Sequence, residues 1–339
     1  MKEVCRPMSM PQSGELEVAA TSLETPADEQ AIQGRSLRQI AWRRLKHDKV
    51  AMAGGFGIIL VTLVAVFASQ LNNLLGNQPS ERNTNLTSGD TTMPYGRFSG
   101  ASADHWLGIQ PVDGLDILAR LIAGARTSLM ISVSAMAVSL LIGLTVGIVS
   151  GYYRGSVDAV VSRLLDVLLA FPVLLFAIAL MSIFAMSPSF LGMKGQTLNF
   201  AVLIFVLGFF GFAYLARIVR GQVLSLREKE FVDAARSLGA SDWRIITREI
   251  LPNLMGPVLV WVTLTIPSYI LGEAGLSYLG VGVQPPTPSW GNTLNTAGIF
   301  FQNDPMFLVW PGMALFLTVL SFNLFGDGLR DALDPKSTR

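Results

Sequence analysis

Six long hydrophobic segments, separated by polar segments, follow one another along this chain of 339 residues. A helix of about 20 residues, at 1.5 Å per residue, crosses roughly 30 Å of hydrocarbon, and each segment is of that order of length. The pattern therefore predicts an all-α integral membrane protein with six transmembrane helices. These helices are predicted at residues 51–71, 128–151, 164–186, 198–219, 253–272 and 306–326.

The first 50 residues are predicted to form a tail followed by an interfacial helix. Residues 1–37 are polar, acidic and non-periodic, which predicts a disordered tail without the apolar core of a signal peptide. Residues 36–49 become basic. Apolar residues interleave with the basic ones, and this predicts a helix that lies on the membrane surface before the first span.

Two features within the predicted spans bear on helix packing. Gly143, Gly147 and Gly151 recur every four residues, which predicts a stripe along which a second helix approaches closely. A helix end that is merely rich in glycine would show the same spacing. Pro172 predicts a kink in the third span.

Asp166 is expected at the membrane interface, and the alternative is a functional acid inside the membrane.

The distribution of basic residues orients the predicted helices. Of the 25 lysines and arginines, 20 lie in segments that share a side with both termini, and five lie on the opposite side. Cytosolic segments are enriched in Lys and Arg. The termini, including residues 327–339, and the loop 220–252 are therefore predicted to be cytosolic. The loop 72–127 is predicted to be external, and the Gly- and Pro-rich segment 273–305 external or re-entrant.

The loop 220–252 contains the longest amphipathic stretch of the chain. Phe231, Ala234, Ala235 and Leu238 are spaced at i, i+3, i+4 and i+7, which predicts a small apolar face on one helix. Gly239 is placed to end that helix in a left-handed turn. The pattern does not name the partner of this face, because it fits a groove on another protein and an ordinary surface helix equally well.

Capping signals predict where this helix and its successor begin. Ser225 and Glu228 have the spacing of a capping box for the first helix. Ser241 or Asp242 is predicted to cap a second short helix. Pro252 is predicted to close that second helix or to open the next one.

Composition agrees with a membrane protein and argues against other classes. Hydrophobic residues make up 51% of the chain and charged residues 14%, and the mean hydropathy is +0.48. Between Arg227 and Glu249 five bases balance five acids, which argues against a nucleic-acid patch or an anionic-lipid anchor in this loop. Cys5 is the single cysteine, so no disulfide forms within the chain. His47 and His105 lie far apart without other metal-ligating residues beside them, so no metal site is predicted.

Motifs for ATP hydrolysis and for other catalysis are missing from the sequence. No G-x-x-x-x-G-K-[ST] phosphate loop occurs, and both histidines lie outside the predicted spans, so no catalytic triad can be assembled. Charged residues deep inside the predicted spans are nearly absent, which disfavours a proton- or sodium-coupled carrier. The chain is therefore predicted not to be an enzyme and to hold no cofactor.

Several motifs resemble the permease subunits of ATP-binding-cassette (ABC) importers, and in particular the dipeptide/oligopeptide permease family. Asp233-Ala234-Ala235, followed by Gly239, resembles the EAA loop of these permeases, with an aspartate where glutamate is usual. Residues 109–116 depart from the family pattern. Further matches to the peptide-permease family lie at residues 105–108, 220–227, 240–244, 250–253, 282–291 and 322–335.

The resemblance implies a type I ABC importer permease-like fold, with a permease core over residues 128–330. It implies a coupling helix that rests in a cleft of a cytosolic ATPase through Phe231, Asp233, Ala234, Ala235, Leu238 and Gly239. It also implies an assembly in the bacterial cytoplasmic membrane. This chain would be the C-type partner of a second, homologous permease, with two ABC ATPase subunits and an external solute-binding protein. ATP and Mg²⁺ would be bound by the ATPase subunits.

The resemblance implies a di- or oligopeptide as the transported solute. Nickel, glutathione or another small solute are the alternatives within the same machinery. A stand-alone carrier or channel with six spans, working without ATP, is the alternative from a different functional class. The sequence does not identify the residues that contact the solute.

Overall fold

The computed structural model describes residues 37–90, 92–96, 98–185 and 189–333. Within these ranges the chain is helical, and β-structure is limited to isolated bridges. The described residues from Ala41 onward belong to one compact unit, and residues 37–40 are the described part of a separate unit. The predicted tail at residues 1–36 and the C-terminal residues 334–339 lie outside the described residues.

Five helices of the described chain are long and apolar enough to cross a membrane. A sixth span results if one bent pair of helices, α5 and α6, is counted as a single span. The predicted all-α membrane fold is therefore confirmed. The described helices are α1 Leu37–His47, α2 Lys49–Val66, α3 Ala68–Leu75, α4 Ile117–Tyr153, α5 Gly155–Ala170, α6 Val173–Ala185, α7 Gly195–Leu226, α8 Glu230–Ser237, α9 Asp242–Tyr278, α10 Trp290–Phe300 and α11 Pro305–Leu333. Of these, the five candidate spans are α2, α4, α7, α9 and α11.

The third predicted span, residues 164–186, is broken rather than kinked. Helix α5 ends at Ala170, and α5 and α6 meet at an angle of 79°. Phe171, between them, has an extended backbone with φ −79° and ψ 135°. Pro172 explains this conformation, because its ring disfavours the helical region for the preceding residue and it has no N–H to donate to the preceding turn.

Helix α4 begins inside the segment 72–127, which was predicted to be an external loop. Asp116 caps it, and its Oδ1 accepts a hydrogen bond of 2.7 Å from the N–H of Ala119. Residues 117–127 are therefore helical, and the 37 residues of α4, about 55 Å at 1.5 Å per residue, exceed the roughly 30 Å of hydrocarbon. Arg120 is only 4% exposed and donates to a side-chain oxygen and a backbone carbonyl of two neighbouring segments. Partners that are distant in the sequence thus allow a buried arginine in a helix.

The first span is also interrupted, because α2 ends at Val66 and α3 follows from Ala68, whereas one helix was predicted over residues 51–71. Between α3 and α4 the chain is folded against α4. Ile109 and Gln110, where the sequence departs from the permease pattern, are buried there. The N–H of Gln110 donates to the carbonyl of Leu115 at 2.8 Å and closes a turn.

Pro252 is the second residue of the regular α-helical part of α9, Leu251–Tyr278, so the prediction that it opens the next helix is confirmed. The residues before it form a π-helical turn, Ile245–Ile250, in which the N–H of Leu251 donates to the carbonyl of Ile246. A proline inside a regular α-helix collides with the carbonyl four residues earlier. The wider turn changes the hydrogen-bond register just before the proline, which lets the helix continue.

The predicted glycine stripe of α4 is confirmed as the place where α7 packs. A Cβ atom on Gly147 would lie 2.7 Å from the carbonyl oxygen of Ala216 and 2.7 Å from Cβ of Val219. Gly143 and Gly151 are equally close to side chains of α7. Glycine therefore brings the two helix backbones together along the stripe.

The segment 273–305 contains the end of α9, a turn and α10. Helix α10 has 11 residues, too few to cross roughly 30 Å of hydrocarbon. Its first residue, Trp290, is buried and donates through Nε1 to the carbonyl of Leu121 in α4 at 3.0 Å. Its neighbour Gly291 lies against the backbone of Ala274 in α9. Protein therefore covers the start of this short helix, whereas Ile299 near its end is exposed.

Candidate functional site

The chain between α7 and α9 is the segment that the sequence singles out as functional. It folds as the short helix α8, which has eight residues. A helix of this length is not stable alone in water. Its position is therefore set by what it packs on, and both flanking segments are long helices.

Helix α8 is fastened to its own protein by one side. Val232 is fully buried and Ala235 is half-buried. Both pack on a hydrophobic cluster that includes Val223 of α7 and Ile245 and Ile250 of α9. The predicted apolar face is therefore corrected. Ala235 belongs to the inner side of α8, and Val232, which the spacing argument left out, is its main anchor.

The rest of the predicted face remains uncovered. Leu238 is 89% exposed, and Phe231 and Ala234 are exposed as well. Trp243, at the start of α9, is also largely exposed. We call these four residues the docking face. A cluster of exposed apolar residues outside the spans is typical of a surface that another protein covers.

Asp233 also lies on the exposed side of α8. Its Oδ1 accepts from Nη1 of Arg236 at 3.3 Å, and both side chains are in contact with solvent. An exposed ion pair of this kind contributes little to stability. The weak ion pair with Arg236 therefore leaves Asp233 accessible to a partner protein.

Gly239 ends α8 in the predicted left-handed conformation, with φ +80°. The N–H of Gly239 donates to the carbonyl of Arg236, and the N–H of Ala240 donates to the carbonyl of Ala235, both at 3.0 Å. These two bonds form a Schellman motif. The motif fixes the direction in which the chain leaves α8 and enters α9.

One predicted cap is confirmed and the other is wrong. Oγ of Ser241 accepts from the N–H of Arg244 at 3.4 Å and caps α9. The capping box of Ser225 and Glu228 does not form. Helix α7 continues to Leu226, so Ser225 is still inside that helix, and α8 starts only after Lys229.

Three side-chain contacts join the end of α4 to both ends of the α8 segment. The hydroxyl of Tyr152 donates to Oδ1 of Asp242 at 2.7 Å. Arg227 donates to the backbone carbonyl of Tyr152 and lies over its ring, 5.7 Å from the ring centroid. Arg154 pairs with Glu228 and holds the pKa of that carboxyl below its ordinary value. Sequence reasoning missed these contacts, because the partners are more than 70 residues apart.

Further ion pairs connect α5 to α7. Arg220 donates from Nε and Nη2 to the two carboxylate oxygens of Asp158, the second at 2.8 Å. Arg217 pairs with Asp166, whose side chain is 56% exposed. These ion pairs were indicated in the sequence by residues of opposite charge at the ends of two apolar segments.

Charged groups elsewhere do not form a metal centre. Among the described residues, no group of three or more His, Cys, Asp or Glu side chains is placed to hold an ion. His105 instead pairs through Nδ1 with Oδ2 of Asp116 at 2.7 Å. Glu273, inside α9, is fully buried and accepts from the hydroxyl of Ser277 at 2.7 Å. The sequence analysis missed this acid because it placed the end of the span one residue earlier.

Comparisons with known proteins give consistent matches. Residues 143–339 match the family described as binding-protein-dependent transport system inner membrane component, and residues 36–86 match the N-terminal TM domain of oligopeptide transport permease C. The chain is 40% identical over 296 residues to the dipeptide transport system permease protein DppC of Alkalihalophilus pseudofirmus, covering 87% of this chain and 89% of the relative. It is 39% identical over 296 residues to the glutathione transport system permease protein GsiD of Pectobacterium atrosepticum, covering 87% and 90%.

A solved structure shares the fold. The match is to a chain of the MetNI methionine ABC transporter in an inward-facing conformation, with a TM-score of 0.51 and 17% sequence identity. It covers 64% of this chain and 98% of that chain. At this identity the likeness concerns the fold alone.

Proposed function

This chain belongs to the family of binding-protein-dependent transport system inner membrane components, and we propose that it forms half of the translocation pathway of an ABC importer for peptides. The observation that supports the coupling role is the docking face. Phe231, Ala234 and Leu238 lie on or directly after α8, which its own protein holds through Val232 and the Schellman motif, and Trp243 lies at the start of α9. A surface that is both exposed and rigid suits a contact that transmits force.

The proposed partners are a second, homologous permease, two ABC ATPases and an external solute-binding protein. Movement of an ATPase on ATP binding would push the docking face of α8. Because Tyr152 and Asp242 bond the end of α4 to the start of α9, the push would reach both spans at once. The two permeases would then alternate access to the pathway between the two sides of the membrane. ATP and Mg²⁺ would stay in the ATPase subunits.

The proposed solute is a short peptide. The two relatives above are named for dipeptides and for glutathione, and both solutes carry amide bonds, an amino group and carboxylates. These names favour peptides over nickel. A strain that lacks this gene should lose energy-dependent uptake of a labelled dipeptide or of labelled glutathione, and a plasmid copy should restore it. Uptake that persists after ATP depletion would contradict the importer and favour a stand-alone carrier.

The proposed orientation has both termini in the cytosol. It rests on the asymmetry of 20 to five in basic residues. Reporter fusions at Gly89 and Thr287 should read external, and fusions at Arg236 and Lys336 should read cytosolic. A cytosolic signal at Gly89 together with an external signal at Arg236 would invert the topology and remove α8 from the reach of an ATPase.

A further inference from the structure

Helix α1 packs on the protein through Ala41 and Leu45. Leu45 is buried and Ala41 is half-buried. Both pack on the end of α11, against Phe325, Leu329 and Ala332. This contact fixes the rotation of α1 about its axis and thereby decides which of its side chains point away from the protein.

A second face of α1, which flanks the packed one, carries an aromatic ring and cations. Trp42, Lys46 and Lys49 are spaced at i, i+4 and i+7, and all three are exposed, as is Arg43 beside them. The ammonium of Lys46 lies 5.9 Å from the ring centroid of Trp42, which is 57% exposed. We call Trp42, Arg43 and Lys46, together with Lys49 at the start of α2, the basic face of α1.

No acid of α1 or α2 neutralises this face. Asp48 is the single acid between residues 37 and 66. Its Oδ1 accepts from the N–H groups of Val50 and Ala51, at 2.9 and 3.0 Å, and so caps α2. The carboxylate is therefore turned toward the start of the first span instead of toward the cations of α1.

The basic face lies close to the membrane whatever the angle between α1 and α2. Helix α2 is a candidate span that begins at Lys49, one residue after α1 ends. From Trp42 to His47, the last residue of α1, the helix extends about 8 Å, at 1.5 Å per residue. The screening length in physiological salt is about 8 Å. The cations between these two residues are therefore within about one screening length of the lipid headgroups.

We propose that the basic face of α1 binds the anionic headgroups of phospholipids in the adjacent leaflet, with the ring of Trp42 at the interface. A basic residue next to an anionic membrane favours binding roughly fivefold. Indole rings prefer the boundary between headgroups and acyl chains. Because the inner face of α1 packs on α11, bound lipid would hold α1 against α11.

The test uses the full-length protein in phosphatidylcholine vesicles. The vesicles contain a minor fraction of either brominated phosphatidylglycerol or brominated phosphatidylcholine, because bromine quenches indole fluorescence on contact. The difference between the wild type and Trp42→Phe isolates the signal of Trp42 from the other tryptophans. We expect stronger Trp42 quenching by the brominated anionic lipid. We expect that excess to be lost in Arg43→Gln/Lys46→Gln and at high salt.

A matched control removes two charges elsewhere. Arg82→Gln/Lys194→Gln takes two cations from loops predicted to lie on the opposite side, and it should keep the excess quenching. None of these substitutions touches Ala41 or Leu45, so α1 should stay packed on α11. Retention of monodisperse protein by gel filtration checks that every variant is folded.

Two outcomes would overturn the proposal. One is equal quenching of Trp42 by both brominated lipids in the wild type, or an excess that survives in Arg43→Gln/Lys46→Gln. The other concerns residues 7–34, which hold five acids and no base. This acidic segment is the alternative to anionic lipid as the partner of the basic face. A preference for the anionic lipid that emerges only after residues 2–34 are deleted would assign the basic face to that segment. Neither outcome bears on the importer function, which peptide uptake tests separately.

Discussion

The close contact between α4 and α7 can be tested by comparing the same substitution, glycine to alanine, at two positions. In Gly147→Ala the new Cβ would lie 2.7 Å from the carbonyl oxygen of Ala216. A backbone oxygen cannot rotate away, so the helices must separate by roughly 0.7 Å to reach ordinary contact. In Gly221→Ala, at the end of α7, no atom of the described residues lies within 4 Å of the new Cβ.

The two variants differ in packing and share the gain in helix propensity. Replacing glycine by alanine in a helix favours folding by about 1 kcal/mol in both cases. Overpacking at Gly147 costs about 1–3 kcal/mol, whereas Gly221 has no such cost. Because the propensity gain cancels in the comparison, Gly147→Ala should be less stable than Gly221→Ala by about 1–3 kcal/mol.

The assay is thermal unfolding of each purified variant in the same detergent, followed by intrinsic tryptophan fluorescence. The midpoint of Gly147→Ala should fall below that of Gly221→Ala, with the wild type between them or close to Gly147→Ala. Equal midpoints, or a higher midpoint for Gly147→Ala, would show that α4 and α7 do not meet along the glycine stripe.

Two further predictions concern how the α8 segment is held. Tyr152→Phe removes the hydrogen bond to Asp242, which is worth about 0.5–1.5 kcal/mol. Trypsin should therefore cleave after Arg236 faster than in the wild type, while the global unfolding midpoint hardly changes. An unchanged cleavage rate would mean that this bond does not hold the segment. Gly239→Val places a β-branched residue at φ +80° in open space, which costs about 1–2 kcal/mol in backbone strain, and Gly239→Asn should cost less. Cleavage after Arg236 should therefore be fastest in the valine variant, and identical rates in both variants would refute the role of the left-handed turn.

Much of the fold is readable from the sequence, because a bilayer imposes long uncharged helices. The hydrophobic segments predicted the candidate spans, and the spacing of Gly143, Gly147 and Gly151 predicted a close contact between two helices. Gly239 was readable for a similar local reason, since a left-handed turn at a helix end favours glycine. These signals depend on the residue itself and on its near neighbours.

The remaining features depend on partners that are distant in the sequence. No local signal predicts that Arg120 is buried in α4, because its hydrogen-bond partners Pro79 and Asn292 belong to other segments. Pro172 predicted a change of helix direction, but the position of a proline does not show whether the helix is kinked or broken with a bend of 79°. In α8, Val232 and Ala235 are anchors because clusters from α7 and α9 lie beneath them. A short helix with several small apolar residues gives no local signal of which side will be covered.

The central claim is that the docking face of α8 contacts an ATPase, and one comparison tests it most directly. Ala234→Glu and Leu238→Glu place a carboxylate on exposed positions of that face, whereas Ala235 is unsuitable because it packs inward. Gln222→Glu adds the same charge at an exposed position of α7 and serves as the control. An unpaired charge in a dry contact costs several kcal/mol, on the order of 3–5.

The measurement is the amount of ATPase that co-purifies with each tagged permease from membranes containing equal amounts of it. We expect Ala234→Glu and Leu238→Glu to lose most of the bound ATPase and its stimulation by the loaded binding protein, while Gln222→Glu retains both. Wild-type levels of bound and stimulated ATPase in Ala234→Glu and Leu238→Glu would contradict the assignment of α8 as the coupling helix.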